Sequence, residues 1–479
     1  MTAKQIGLPL GPILFALTLA FLRPEGLPFA GTAVLATTVW MAVWWTTEAI
    51  DIAVTAMLPI ILFPLTGVME AGEITTYYGH YLVFLFLGGF LIAMAVERWN
   101  LHRRIALATI ALIGSNLRMI ILGAMVATAF LSMWISNTAT SVMMLPIAMA
   151  IAGQLADDPD TDEDENAIFG KALMLAIAYS ASIGGMASLI GTPVNGVLLG
   201  QAETVFGIEI GFMEWFRIGF PISVVLLVIC WWYLTRVAFK FKKESFAGGK
   251  AEIRRLQKEL GPITAEEIKV LVVFTLTALA WIFRKSVLAP LVPGVNDTVI
   301  AMTGATALFL LPGREQGTRL LTWREAVKLP WGVVLLLGGG FALAAGFTAG
   351  GISDYISANL SVPEVVGLLG LTLIVVVAVN FLTEITSNVA TTSMLLPLLA
   401  VAAGPLGVAP SALMVPATLA ATCAFMLPVA TPPNAVVFGS GYLTIPDMVR
   451  AGFRMNVISI VVITLFCYFV LPHLGGIAF

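Results

Sequence analysis

Two phrases of small polar residues interrupt otherwise apolar sequence: SNTATSVMMLP at 136–146 and SNVATTSMLLP at 387–397. Seven of the eleven positions are identical, at a constant offset of 251 residues. A second pair is GTPVN at 191–195 and ATPPN at 430–434. Together the phrases offer hydroxyls, side-chain amides and backbone groups, and they hold no Arg, Lys, His, Asp or Glu. Thr is a good N-cap and Pro is favoured at the first helical position. Thr192-Pro193 and Thr431-Pro432 therefore read as helices that stop and restart within an apolar segment. Ser136-Asn137 and Ser387-Asn388 carry the same capping chemistry. Four such N-termini present unpaired N–H groups and positive dipole ends, which suit an oxyanion such as a carboxylate. A multiply charged anion in a low-dielectric site also needs countercharge. With no basic residue in the phrases, a co-bound hard cation such as sodium, held by hydroxyl and carbonyl oxygens, is its natural source. That is the chemistry of a cation-coupled anion carrier.

The elements that must position these phrases follow from composition. The chain has 479 residues, 59% hydrophobic and 11% charged, with mean hydropathy +0.96. Soluble domains carry about 25% charged residues, so the expected class is an all-α polytopic membrane protein. A span takes about 20 apolar residues. Eleven windows qualify, near 7–22, 30–48, 53–69, 80–97, 172–200, 216–237, 268–284, 296–312, 329–348, 411–440 and 452–472. The first lacks a small-x-small cleavage site before Arg23-Pro24 and is read as a retained span rather than a signal peptide. Two further blocks, 119–154 and 365–402, are each a pair of short apolar runs around an SN phrase.

Threading the eleven spans from a cytoplasmic N-terminus puts 21 of the lysines and arginines inside and 4 outside. This asymmetry supports the threading and leaves the C-terminus extracytoplasmic. The 251-residue offset extends to Gly88-Gly89-Phe90 and Gly339-Gly340-Phe341. Five crossings separate the copies, so they lie upside down relative to each other. Inverted repeats with matching interrupted segments point to the binding site of a secondary transporter. The two paired blocks are accordingly read as re-entrant hairpins. Two full spans joined by a surface turn are disfavoured, because each half is short for a span and the turn holds no charge, Gly or Asp.

The remaining polar features have plainer readings. The basic stretch Arg236–Lys258 and the acidic Asp157–Glu165 are solvated connectors, the former also suited to anionic headgroups. Cys230, Cys423 and Cys467 are small apolar side chains, without a disulfide frame or metal knot. His80, His102 and His473 are interfacial packing, and Glu48 and Asp51 snorkel to water. Glu384, between Thr383 and the second SN phrase, either supports the second cation site or pairs locally. No nucleic-acid-binding basic tract is present. No HExxH, paired-Asp or GxSxG signature is present either, so the chain does not read as an enzyme. A channel would not need two broken segments in inverted register. A sodium/proton antiporter or arsenite pump would lean on intramembrane acids rather than neutral amides.

The repeated SN phrases resemble those of the divalent anion:sodium symporter family, whose members carry dicarboxylates, citrate and sulfate. WWTTEA (44–49), SIGGMASLIGTPVN (182–195) and CAFMLPVATPPNAVVFG (423–439) are also similar to that family, over essentially the whole chain. The resemblance implies a homodimer in a cell inner membrane. Each protomer is divided into a scaffold and a transport part that moves like an elevator. It also implies an organisation: scaffold helices at 1–79; a first repeat at 80–235 with a hairpin at 118–154, a broken helix at 172–200 and a span at 216–235; a basic cytoplasmic connector at 236–265; scaffold helices at 266–328; and a second repeat at 329–479 with a hairpin at 365–402, a broken helix at 411–440 and a last span. One co-transported sodium ion maps onto Ser132, Ser136, Asn137 and the Gly191 carbonyl. A second maps onto Thr383, Asn388 and the carbonyls of Thr386 and Ala430. The substrate carboxylates map onto Asn137-Thr138, Thr192-Pro193, Asn388-Val389 and Thr431-Pro432. Val389 departs from the pattern, since its counterpart Thr138 carries a hydroxyl. Every mapped side chain is polar and neutral apart from Val389, Gly, Ala and Pro, which favours symport over exchange.

Cysteine placed at 136 or at 387 is expected to lie at membrane depth. Labelling of both by membrane-impermeant thiol reagents in every condition, as for surface turns, would contradict the hairpins.

Overall fold

The computed structural model describes residues 2–22, 24–114, 116–154, 165–241, 247–314, 317–359 and 367–474. Among these the regular elements are helices, and strand pairing is confined to an isolated bridge between Pro312 and Arg319. Among the described residues seven helices are long and apolar enough to cross a membrane: Ala3–Phe21, Phe29–Thr47, Ala71–Arg98, Asn166–Gly185, Phe212–Ala238, Trp331–Ala349 and Ile445–His473. An eighth candidate, Ala265–Ile282 with Arg284–Leu291, bends by 73°. The other three expected windows form shorter pieces. Residues 53–69 divide into Ile52–Thr55 and Leu58–Thr66, with Pro59 in the first turn of the second. Residues 296–312 give the 14-residue Asp297–Leu310, capped by the Asn296 side chain on Val299 N–H at 2.9 Å. Residues 411–440 give Ser411–Ala421 and Pro432–Phe438 across a break.

Each SN phrase is the corner of a helix pair. Leu117–Ser132 and Asn137–Ala152, of 16 residues each, form the first. Leu368–Leu382 and Asn388–Ala403 form the second. At 1.5 Å per residue a 16-residue helix is about 24 Å long, less than the roughly 30 Å hydrocarbon core. Residues 365 and 366, where the second was expected to begin, lie outside the described residues, as do Asp157–Asp164 and residues 242–246 of the basic connector. After residue 246 the connector forms helix Ala247–Glu259, which packs on Leu101–Ile113 and donates Gln257 Nε2 to Leu107 O at 3.3 Å.

The two halves interlock. Asn137–Ala152 packs on Pro432–Phe438, and Asn388–Ala403 packs on Pro193–Phe206, so each pair rests on the restarted helix of the other repeat. Both breaks are roofed by a later helix at a glycine. A Cβ on Gly219 would stand 2.4 Å from Met186 O, and one on Gly452 would stand 2.1 Å from Phe425 O. Residues 186 and 425 are equivalent when Asn195 is aligned with Asn434.

The charged and polar residues that the sequence singled out away from the phrases include several with partners. Glu48 pairs with Lys4 at 3.2 Å, and Asp51 accepts Ala53 N–H at 2.8 Å as a cap. Arg98 pairs with Glu325, and Arg104 with Glu267, at helix ends. His80 lies edge-on to Phe341, and His102 Nδ1 is 3.2 Å from Val96 O. The three cysteines are free and buried.

Because the Gly452 contact is with backbone, Gly452→Ala is expected to destabilise the protein by about 1–3 kcal/mol. Gly72, with nothing within 4 Å of its Cβ position, is the control. Gly72→Ala should leave the melting temperature in detergent unchanged or slightly raised, while Gly452→Ala lowers it.

Candidate functional site

The four half-helices begin where the sequence places them. Asn137, Pro193, Asn388 and Pro432 are the first residues of their helices, with Ser136, Thr192, Ser387 and Thr431 at the N-cap positions. Capping by the side chain is made at two of the four. Ser136 Oγ accepts Ala139 N–H and Thr431 Oγ1 accepts Asn434 N–H, each at 3.3 Å. Thr192 and Ser387 make no side-chain cap bond, which leaves first-turn N–H groups at those two ends without that partner.

At the first corner Ser132 and Asn137 come together. Ser132 Oγ is 2.6 Å from Asn137 Oδ1 and 2.7 Å from Ala181 O. A serine hydroxyl carries one hydrogen and can serve one of these acceptors at a time. Ser132 Oγ, the Asn137 amide and Ala181 O thus gather at one point, a cluster of neutral polar groups of the kind that holds a small hard cation. Gly191 closes the same space, since its Cβ position is 2.9 Å from Ser132 O and 2.5 Å from Gly185 O. A side chain at 185 would also strike the Asn137 amide, at 2.3 Å from Oδ1.

The second corner repeats the arrangement. Thr383 Oγ1 is 2.5 Å from Asn388 Oδ1 and 3.1 Å from Ala421 O. Asn137 O accepts from Ser141 Oγ at 2.9 Å, and Asn388 O accepts from Thr392 Oγ1 at 2.6 Å, again at the 251-residue offset. Thr386 Oγ1 is engaged with Leu382 O and Thr391 Oγ1. Ala430 stands at the end of the break, its N–H donated to Leu427 O at 3.2 Å.

Glu384 is paired with groups from distant parts of the chain. Its carboxylate is buried and accepts from Phe425 N–H at 2.7 Å, Met426 N–H at 3.0 Å, Leu427 N–H at 3.1 Å and Asn456 Nδ2 at 2.7 Å. These are the backbone donors freed by the second break. The carboxylate also follows Thr383 directly, so it ties the break to the corner. In the first repeat the equivalent residues are Met133 and Ser188, and there Ser188 Oγ donates to Met133 O. The tether has the same address and different chemistry.

A cavity of about 690 Å³ reaches the first corner, where Ser136, Thr138, Gly191 and Pro193 line it. Its other wall includes Glu97, Arg98 and Lys328. Asn388, Val389, Thr431 and Pro432 do not line this cavity. Thr138 is exposed and Val389 half-buried. The expected site residues therefore fall into two clusters, one per repeat, with the first facing open space.

Sequence reasoning passed over Asn195, Asn434, Ser188 and Asn456. Asn195 and Asn434 are the last residues of the repeated T-P-x-N phrases, so the repeat itself was a signal. Ser188 and Asn456 carry no local signal, and only packing brings them to the breaks.

Glu384→Ala would leave several buried backbone donors without an acceptor, each costing about 1–3 kcal/mol. A clear fall in melting temperature is expected, with Glu384→Gln intermediate. An unchanged melting curve for Glu384→Ala would contradict the tether.

The profile of the family described as Sodium:sulfate symporter transmembrane region matches residues 6–475. A Sodium-dependent dicarboxylate transporter SdcS of Staphylococcus saprophyticus is 46% identical over 480 residues, 99% of this chain and 92% of the relative. Its namesake from Staphylococcus aureus is 45% identical over 482 residues, 99% of this chain and 93% of that protein. Among solved structures, Neisseria gonorrhoeae MtrF superposes with a TM-score of 0.56 at 14% identity, covering 86% of this chain and 84% of that one. The Alcanivorax borkumensis YdaH transporter gives 0.55 at 14% identity, covering 84% and 88%. At that identity the likeness is one of fold.

Proposed function

The chain belongs to the sodium:sulfate symporter family, and we propose that it couples inward sodium movement to uptake of a dicarboxylate of the succinate, malate or fumarate kind. The substrate class follows the names of the staphylococcal relatives. The observation that carries the coupling is the crowding of Ser132 Oγ, Asn137 Oδ1 and Ala181 O, and its repetition by Thr383, Asn388 and Ala421. Converging neutral oxygens with no basic side chain among them favour a hard cation. The first sodium ion takes Ser132, Ser136, Asn137 and Gly191 O. The second takes Thr383, Asn388, Thr386 O and Ala430 O. Thr138, Thr192-Pro193, Val389 and Thr431-Pro432 face the substrate.

In this reading the two corners are re-entrant hairpin tips and the N-terminus is cytoplasmic in a cell inner membrane. The cavity at the first corner is walled by Arg98 and Lys328, which the charge asymmetry assigns to the inside. The state is then inward-facing. Transport proceeds as an elevator, within a homodimer, by movement of the hairpins and broken helices against the remaining helices. Bound cations supply the countercharge for the dianion, so binding is ordered with sodium required. A tricarboxylate such as citrate falls within the same reading, and symport of sulfate or another divalent oxyanion, or carboxylate exchange, are the alternatives of the same family.

Radiolabelled succinate, citrate and sulfate uptake into proteoliposomes, with and without a sodium gradient, tests this. Succinate uptake that saturates and requires sodium is expected. Uptake unchanged when choline replaces sodium would overturn the coupling. Val389→Thr adds a near-isosteric hydroxyl, worth up to roughly tenfold tighter succinate binding, the equivalent of about 1.4 kcal/mol. No change for succinate or citrate would remove position 389 from the substrate site.

A further inference from the structure

The T-P-x-N phrases end in an asparagine that the transport reading has not used. Asn195 is fully buried, and its Nδ2 lies 2.7 Å from Ser188 O, 3.4 Å from Gly185 O and 3.5 Å from Met186 O. Asn434 is also fully buried, and its Nδ2 lies 3.2 Å from Ala424 O and 3.0 Å from Leu427 O. With Asn195 aligned on Asn434, Gly185 falls on Ala424 and Ser188 on Leu427. The same two carbonyls are therefore gathered in both repeats by the same amide, reaching back from the first turn of the restarted helix. Each amide oxygen, Oδ1, is buried with no hydrogen-bond partner. A buried amide that satisfies only its donor half is costly to keep. Its retention at both breaks argues that the donor half is required.

We infer that Asn195 and Asn434 are positioning residues for the two sodium sites. A break in a helix frees carbonyls that can turn in several directions. The Nδ2 groups hold those at the start of each break away from the ion. The loop between them is then fixed, and the later carbonyls, Gly191 O and Ala430 O, are delivered to Asn137 and Asn388. The link is direct at the first break. Gly185, whose carbonyl Asn195 takes, packs against both the Asn137 amide and Gly191. Neither asparagine is assigned to the ion or the substrate. Their action is on the size and rigidity of the carbonyl cage, which sets selectivity among alkali cations.

This rests on the proposed sodium sites, and the experiment separates the two. Asn195→Asp and Asn434→Asp keep the side-chain volume and replace a donor by an acceptor. Purified variants that are monodisperse in detergent are compared for sodium-induced thermal stabilisation, and in proteoliposomes for the half-saturating sodium concentration and the lithium-to-sodium rate ratio. Asn137→Ala is the reference for a direct ligand. For each Asp variant we expect a fivefold or greater rise in half-saturating sodium, a changed lithium-to-sodium ratio and a smaller sodium-induced stabilisation. A merely structural role would lower the melting temperature equally with and without sodium and leave the cation ratio unchanged. That outcome, with Asn137→Ala still shifting the sodium response, overturns the positioning role alone. Loss of any sodium response change in Asn137→Ala as well overturns the sodium sites themselves. If the Asp variants are not monodisperse, Asn195→Ser and Asn434→Ser, which shorten the side chain and withdraw Nδ2, carry the same comparison.

Discussion

A helix interrupted in apolar surroundings leaves backbone donors and acceptors that water cannot serve, and the rest of this molecule is arranged around meeting that demand. The two helices that carry the T-P-x-N phrases are interrupted, after Gly185 and after Ala421. At each break the freed groups are met by side chains from distant segments. Asn380 Nδ2 takes Cys423 O at 2.6 Å, Glu384 takes the three N–H groups that follow, and Trp215 Nε1 takes Met186 O at 3.0 Å. Gly219 and Gly452 let a covering helix come close enough to seal each loop. What is not consumed in this way is the chemistry available for ligands.

The repeats share backbone addresses and differ in side chains. Ser132 and Thr383 present one hydroxyl to equivalent asparagines, and Ser141 and Thr392 do the same one turn on. The tether between corner and break is a hydroxyl on a carbonyl in one repeat and a carboxylate on three N–H groups in the other. The second corner therefore has an acidic residue, Glu384, beside Thr383 where the first has Met133, so the two proposed cation sites are built on one plan with different surroundings.

The cavity adds a further asymmetry. It exposes Ser136, Thr138, Gly191 and Pro193 while the second cluster stays away from it. Interlocking explains how both clusters can still act together. Each helix pair rests on the restarted helix of the other repeat, which puts each corner in packing contact with the opposite break. Tyr179, which donates to Phe425 O at 3.0 Å, links the two broken helices in the same sense.

The sequence by itself determined the helical membrane class, the repeat and the positions where helices restart. Those features are written locally: apolar length, a constant offset, and Thr-Pro or Ser-Asn at a helix start. The pairing of Ser132 with Asn137 and of Thr383 with Asn388 was implied by the family resemblance, and the structure brings each pair together around its corner. The sequence did not determine how many windows run as unbroken spans, since hydropathy does not register the short Ile52–Thr55 piece or the 73° bend after Ile282. Nor did it decide Glu384. That residue stands beside the second site in sequence, but its partners are Phe425, Met426, Leu427 and Asn456, brought in across 41 to 72 residues. Ser188 and Asn456 likewise became legible only in the tertiary structure, because the groups a broken helix must satisfy are local while the side chains that satisfy them arrive through long-range packing.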